Sequence, residues 1–116
     1  MNTSFSIKEE EIIDSIESLN SSKTDEIFLK SAKDTIELIT LFLQSEFANK
    51  DNFQDLIIKY FNPTLNKIMS KIPNFIDKKN YNYNYEFILI LEQLYNNMYL
   101  IVRKMKSILK KINLMR

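Results

Sequence analysis

A hydrophobic repeat in the last third of the chain restricts the possible folds more than any other feature. Its members alternate spacings of four and three residues: Phe87, Leu91, Leu94, Met98, Ile101, Met105, Ile108 and Ile112. A second row recurs every seven residues beside it: Ile88, Tyr95, Val102 and Leu109. Because an α-helix completes a turn in 3.6 residues, both rows lie on one side of a helix. This stripe is wider than a two-stranded coiled-coil seam and predicts a bundle helix over residues 85–113.

Two amphipathic segments in the first half of the chain predict two further helices. The first covers residues 6–19, where Ser6 and Glu9 have the spacing of a capping box. The second starts at Ser22 or Thr24, either of which can cap a helix, and ends near residue 48. Its apolar stripe is too broad to be covered by one neighbouring helix, so we expect this helix to lie at the centre of the bundle.

Apolar residues between 53 and 72 keep helical spacing across Asn62-Pro63 and predict a third helix over residues 51–72. Proline inside a helix removes one backbone hydrogen bond and clashes with the preceding turn, at a cost of about 3 kcal/mol. The third helix is therefore expected to be kinked or broken at Pro63. Residues 73–84 are predicted to form a loop because of their composition. The prediction is a single all-α domain over residues 1–116, an antiparallel bundle of about four helices.

Three residue types that many functional sites require are absent from this chain. It contains no glycine, no cysteine and no histidine. Glycine-rich phosphate loops, thiolate metal sites and histidine-based catalysis are therefore excluded. An acidic group at Glu9, Glu10, Glu11 and Asp14 is better explained as a solvated helix face, because carboxylate metal sites in bundles also use histidine. We expect no enzymatic activity, no cofactor and no metal.

The first residues are acidic and lack the apolar segment of a signal peptide. The longest apolar run, residues 87–91, is far shorter than the roughly 20 residues that span a bilayer. A cytoplasmic protein is expected from these two features.

Charge is unevenly distributed along the chain. Residues 1–58 contain five lysines and twelve acidic residues, whereas residues 59–116 contain eleven basic and three acidic residues. From Arg103 to Arg116 there are six basic residues and no acidic one. This basic segment either pairs with the acidic first helix or contacts an anionic membrane surface. Nucleic acid is not expected as a partner, because the whole chain is nearly neutral and has no recognisable nucleic-acid-binding motif.

Several apolar and aromatic residues of the last helix lie off its stripe or at its edge, and they are candidates for a partner-binding surface. Exposed apolar patches and aromatic residues are typical of protein interfaces. Basic residues beside such a patch would orient the partner. The predicted partner-binding residues are Leu89, Ile90, Tyr95, Tyr99, Leu100, Arg103 and Lys104.

The stretch LYNNM at residues 94–98 resembles the Leu-Tyr-Asp-Tyr-Met stretch of the FliS-type flagellar export chaperones. The segments KDNFQDLIIKYFNPTLNKIMSKI and FLKSAKDTIELI are similar in position and spacing to the two helices that precede it in that family. An N-terminal tyrosine motif and a Leu-Tyr-Asp-Gly motif of the family have no counterpart here. The resemblance implies a small antiparallel bundle without enzymatic activity. It also implies that the chain binds the C-terminal segment of flagellin, prevents its polymerisation and presents it for export.

We therefore expect a non-enzymatic protein-binding module, an export or assembly chaperone that captures a helical segment of a partner in an apolar groove. Two alternatives remain open at this stage. One is a membrane-associated helical protein, such as a bacteriocin immunity protein. The other is a structural bundle that associates with itself to form a homo-oligomer.

Overall fold

The computed structural model describes residues 7–20, 25–77 and 81–115, which form helices and turns without a strand among them. The elements are α1 (Glu9–Asn20), α2 (Asp25–Phe47), α3 (Phe53–Leu56), a π-helical segment (Ile57–Phe61), α4 (Asn62–Asp77) and α5 (Tyr81–Met115). Since α3, the π-helical segment and α4 follow one another without interruption, these elements make up four rods. The predicted all-α bundle of about four helices is confirmed. The predicted capping residues Ser6, Ser22 and Thr24 lie outside the described residues.

Antiparallel pairing is visible in the contacts between α5 and the rod that contains the π-helical segment and α4. Along α5, Lys104 lies over the ring of Tyr60 at 5.2 Å, and the Asn97 side chain donates a 2.6 Å hydrogen bond to Thr64. The residue number rises on one rod as it falls on the other, so the two rods run in opposite directions.

The helices α1 and α2 are joined by a hydrogen bond between hydroxyl groups. Ser15 Oγ and Thr35 Oγ1 are 2.6 Å apart, and Thr35 is fully buried. The Thr35 hydroxyl donates its proton to the carbonyl oxygen of Ser31, one turn earlier, at 2.8 Å. Ser15 is therefore the donor to Thr35, and the buried hydroxyl has both a donor and an acceptor.

The α5 helix contacts α1, α2, α4 and the π-helical segment, so α5 has the central place that the sequence analysis expected for the second helix. Its central stripe is exposed by 1% or less at six positions: Phe87, Leu91, Leu94, Met98, Ile101 and Met105. At one end of the core, Phe87 packs edge-to-face against Phe28 of α2, with ring centroids 6.0 Å apart. The burial predicted from the repeat is confirmed for these six residues.

The chain remains helical through Pro63, because a wider turn precedes the proline. The Asn62 N–H donates to the carbonyl oxygen of Ile57, five residues earlier, which is the π-helical pattern. A proline ring ordinarily collides with the carbonyl four residues before it, and the wider turn moves this part of the backbone aside. The sequence predicted either a kink or a break at Pro63, and the helix does not break there.

The prediction of a loop over residues 73–84 is wrong for most of that range. The α4 helix continues through Pro73 to Asp77, and α5 begins at Tyr81; residues 78–80 lie outside the described part. Asparagine, tyrosine and lysine differ from alanine by less than about 0.7 kcal/mol per residue in a helix. Extending an existing helix through these residues is therefore inexpensive, since the costly nucleation step has already occurred, whereas Pro73 carries the larger cost of a proline inside a helix.

Asn52, in the turn between α2 and α3, has a left-handed backbone with φ of 71° and ψ of −7°. In a chain without glycine, asparagine is the residue that accepts this conformation most readily. We expect Asn52→Val to lower the free energy of unfolding by about 1–2 kcal/mol, because a branched Cβ clashes in this region. Asn52→Gly should change it by less than about 1 kcal/mol. Urea unfolding of both variants would contradict this account if valine were tolerated as well as glycine.

Candidate functional site

The structure separates the predicted partner-binding residues onto three faces of α5. Tyr95 and Tyr99 face α1. Ile90 and Lys104, fourteen residues apart, face the rod formed by the π-helical segment and α4. The remaining three share an outward face between those two: Leu89, Leu100 and Arg103. The seven candidate residues therefore do not form one continuous surface, and their role in binding a partner remains a prediction.

On the α1 face, two tyrosines of α5 share one carboxylate. The Tyr95 hydroxyl donates a 2.6 Å hydrogen bond to Glu9 Oε1, and the Tyr99 hydroxyl donates to the same oxygen. The two rings contact each other edge-to-face, with centroids 5.5 Å apart. Tyr95 is half-buried and Tyr99 is 39% exposed. These bonds hold the first turn of α1 against the middle of α5 and occupy both hydroxyl groups, so this face is a structural contact.

The shared hydrogen bonds shift the pKa values of all three groups. The bonds from Tyr95 and then Tyr99, aided by the charge of Lys106, hold the pKa of Glu9 below its usual range. Burial, followed by the hydrogen bond to Glu9, raises the pKa of Tyr95 well above the ordinary tyrosine value. The bond to Glu9 is also the main cause of the raised pKa of Tyr99. At neutral pH the arrangement is therefore an ionised carboxylate with two protonated phenols.

This arrangement predicts an acid-sensitive contribution to stability. Because the pKa of Glu9 is lower in the folded chain, its contribution is fully present above the unfolded pKa of about 4. It is lost as the pH falls through the lower folded value. We expect Glu9→Gln to cost about 1 kcal/mol at pH 7, a modest value because the site is partly solvated. In urea unfolding at pH 7 and pH 3, the difference from wild type should shrink at pH 3.

Glu10→Gln is the matched control, since Glu10 is the next residue of α1 and is exposed. It loses the same charge in the same helical turn, without a tyrosine bond. An equal, equally pH-dependent loss in both variants would contradict a specific role for Glu9.

On the second face, Ile90 is only 7% exposed, so it offers little surface to a partner. Lys104 is half-buried, with its ammonium group over the Tyr60 ring. Lys59 lies at the same distance, 5.2 Å, from that ring. Hydrogen bonding to Lys59 and the positive charge of Lys104 lower the pKa of Tyr60. Lys104 thus secures α5 to the π-helical segment, and its role at the rim of a partner surface remains a prediction.

The outward face carries the exposed apolar residues that the sequence predicted. Leu89 is 46% exposed, Leu100 is half-buried and Arg103 is exposed. Leu100 lies eleven residues after Leu89, close to three full turns, so both side chains leave the helix in a similar direction. A partner that contacts Leu89 can therefore extend along this face toward Leu100 and Arg103.

An open groove of about 440 Å³ runs between α4 and α5 beside Leu89. Its described lining is Lys67, Lys71, Glu86, Leu89, Ile90 and Gln93. We call this the α4–α5 groove. Two of its residues, Leu89 and Ile90, were predicted from the sequence. Lys67 and Lys71 were not, although their spacing of four residues on the third helix was a signal that both lysines share one face.

A second groove, of about 420 Å³, lies against α2, and its described lining is Ile7, Leu41, Gln44 and Ser45. These residues carry no charge that would select a partner. Across residues 7–20, 25–77 and 81–115, no group of three or more histidine, cysteine, aspartate or glutamate side chains is arranged to hold a metal ion. Within the same ranges, no helix has a stretch long and apolar enough to pass through a bilayer.

Comparisons of this chain with protein-family models, with curated proteins and with solved structures find no match.

Proposed function

We propose that this chain is a non-enzymatic protein-binding module, an export or assembly chaperone that captures an amphipathic helical segment in the α4–α5 groove. The observation that carries the proposal is the groove itself. Leu89, which is 46% exposed, provides most of its apolar surface beside the nearly buried Ile90, and Lys67 and Lys71 border it on the α4 side. An amphipathic helix binds such a groove by burying apolar side chains spaced at three and four residues.

The charge around the groove supports an acidic partner segment. The described lining of the groove has two lysines of α4, Lys67 and Lys71, and one carboxylate, Glu86. The half of the chain that forms the groove also has eleven basic residues against three acidic ones. Glutamate or aspartate beside the apolar residues of the partner would complement the lysines and speed association.

Leu89 is exposed, which supports a role in binding a partner segment and not in packing the core of this chain. With 46% of its surface exposed, Leu89 retains apolar area that a bound helix would remove from water. A chaperone of the FliS type acts in this way, since covering the apolar side of a partner segment prevents that segment from assembling prematurely. The cytoplasmic location that such a role requires is part of the proposal.

A labelled peptide tests the proposal directly. The probe is a 20-residue helical peptide with leucines along one side and glutamates along the other, and fluorescence anisotropy measures its binding to the full chain. We expect Leu89→Asp and Lys67→Glu each to weaken binding at least tenfold, which corresponds to about 1.4 kcal/mol. A peptide with lysine in place of glutamate should bind more weakly than the acidic one.

Ile58→Asp and Lys50→Glu are the matched controls. Ile58 is 62% exposed on the π-helical segment, and Lys50 is exposed in the turn before α3. These variants make the same chemical changes outside the groove and should bind the acidic peptide normally. Equal weakening by all four variants, or no binding by wild type, would contradict the proposal. If light scattering instead showed a wild-type dimer that Leu89→Asp converts to a monomer, the groove would be a self-association surface.

A further inference from the structure

The apolar stripe of α5 continues past the part of the bundle that covers it. Met105 is fully buried and Ile108 is half-buried. Further along the same row, Ile112 is 38% exposed and Met115 is 86% exposed. Spacings of three, four and three residues keep these four side chains on one side of the helix. Among the described residues, the end of α5 therefore presents an apolar row to solvent.

Basic side chains lie opposite and beside this apolar row in the last part of α5, and the exposed Leu114 lies among them. Arg103, Lys106, Lys110 and Lys111 are all exposed. No acidic residue follows Glu92 in the sequence. An apolar row opposite a lysine-rich side is the pattern of helices that lie in the interface of a membrane.

The acidic α1 helix neutralises only part of this charge. Lys106 is the basic residue of this segment whose charge lowers the pKa of Glu9. Lys110 and Lys111 lie one turn and more beyond it along α5, where all described residues from 110 to 115 are exposed. Of the two alternatives for the basic segment, pairing with the first helix therefore accounts for Lys106 and leaves Lys110 and Lys111 in solvent.

We propose that residues 103–115 of α5 form a docking site for an anionic lipid surface. The lysines contact lipid phosphates, while Ile112 and Met115 enter the boundary between headgroups and acyl chains. Charge complementarity favours a membrane over an apolar partner, since four exposed basic residues flank the short apolar row. This site is separate from the α4–α5 groove, so membrane docking would leave that groove accessible to a partner.

Vesicle co-sedimentation of the full chain tests this site. The probes are vesicles of phosphatidylcholine with 30% phosphatidylglycerol, and vesicles of phosphatidylcholine alone, at physiological salt. We expect binding to the anionic vesicles and little binding to the neutral ones. Replacing Lys106, Lys110 and Lys111 together with glutamine should lower the partition coefficient at least tenfold. The double variant Ile112→Ser and Met115→Ser should lower it as well.

The control replaces Lys30, Lys33 and Lys50 with glutamine, because these exposed lysines of α2 and the following turn carry the same total charge. This control should retain binding to the anionic vesicles. Absence of wild-type binding, equal binding to neutral vesicles, or equal losses in both triple variants would overturn the proposal. A loss that appears only in the α5 variants would support it.

Discussion

Phe87→Ala should lower the free energy of unfolding by about 3–5 kcal/mol. Phe87 is 1% exposed, and its ring meets the Phe28 ring edge-to-face where the starts of α2 and α5 come together. Truncation removes the buried ring and leaves a cavity between two rigid helices that cannot collapse fully. Since domains of this size are stable by about 5–15 kcal/mol, a large share of the total would be lost. Urea unfolding, followed by circular dichroism at 222 nm, measures the change.

Leu89→Ala is the control for this prediction. Leu89 lies two residues further along α5 and is 46% exposed, so its truncation should cost less than about 1 kcal/mol. Similar losses in the two variants would mean that the side of α5 that faces the core has been misassigned.

Asn96→Pro should cost about 3 kcal/mol or more, the second large effect that we expect. Asn96 is exposed near the middle of α5, so its side chain contributes little to the core. Proline at this position would remove the backbone hydrogen bond to residue 92 and push its ring against that carbonyl group. A helix of 35 residues that contacts every other rod would then be distorted in its centre. Thermal unfolding and helical ellipticity should both decrease.

Asn96→Ala separates this backbone effect from the loss of the asparagine side chain. Alanine is the better helix former, so this variant should match or slightly exceed the wild-type stability. If Asn96→Pro were as stable as Asn96→Ala, α5 would not be a continuous helix at this position.

The native Pro63 shows why a proline signal in a sequence is ambiguous. The sequence predicted a kink or a break there, because proline is costly in a regular helix. In the structure the chain does not break there; a π-helical segment precedes Pro63, and the Asn62 N–H donates to the carbonyl oxygen of Ile57. Whether the chain breaks or widens its helix at a proline depends on the contacts of the neighbouring turns. Here Phe61 is buried and Tyr60 is attached to α5 through Lys104, which favours continuation.

The helical elements were largely predictable because hydrophobic periodicity is a local property. Residues seven apart, such as Phe87 and Leu94, record which side of a helix faces inward, and both are buried. The loop over 73–84 was predicted wrongly because composition alone does not reveal how far an existing helix extends. The end of α4 and the tyrosine-rich start of α5 are helical despite their weak local preference for a helix.

The candidate site was only partly predictable. Leu89 was assigned correctly as an exposed apolar residue, whereas Ile90 is covered where α5 meets α4. Tyr99 was expected on a partner surface, yet it bonds to Glu9, which lies ninety residues away in the sequence. The sequence analysis did not predict that Lys67 and Lys71 of α4 lie beside α5.

The sequence alone determined that about four helical rods form and where the apolar stripe of the last one runs, because a helix satisfies its backbone locally and repeats its inward side chains every three or four residues. Only the tertiary structure decided which residues outside that stripe are covered, bonded or left in solvent. That outcome depends on where a second rod lies, and the position of a rod is set by contacts between residues far apart in the chain.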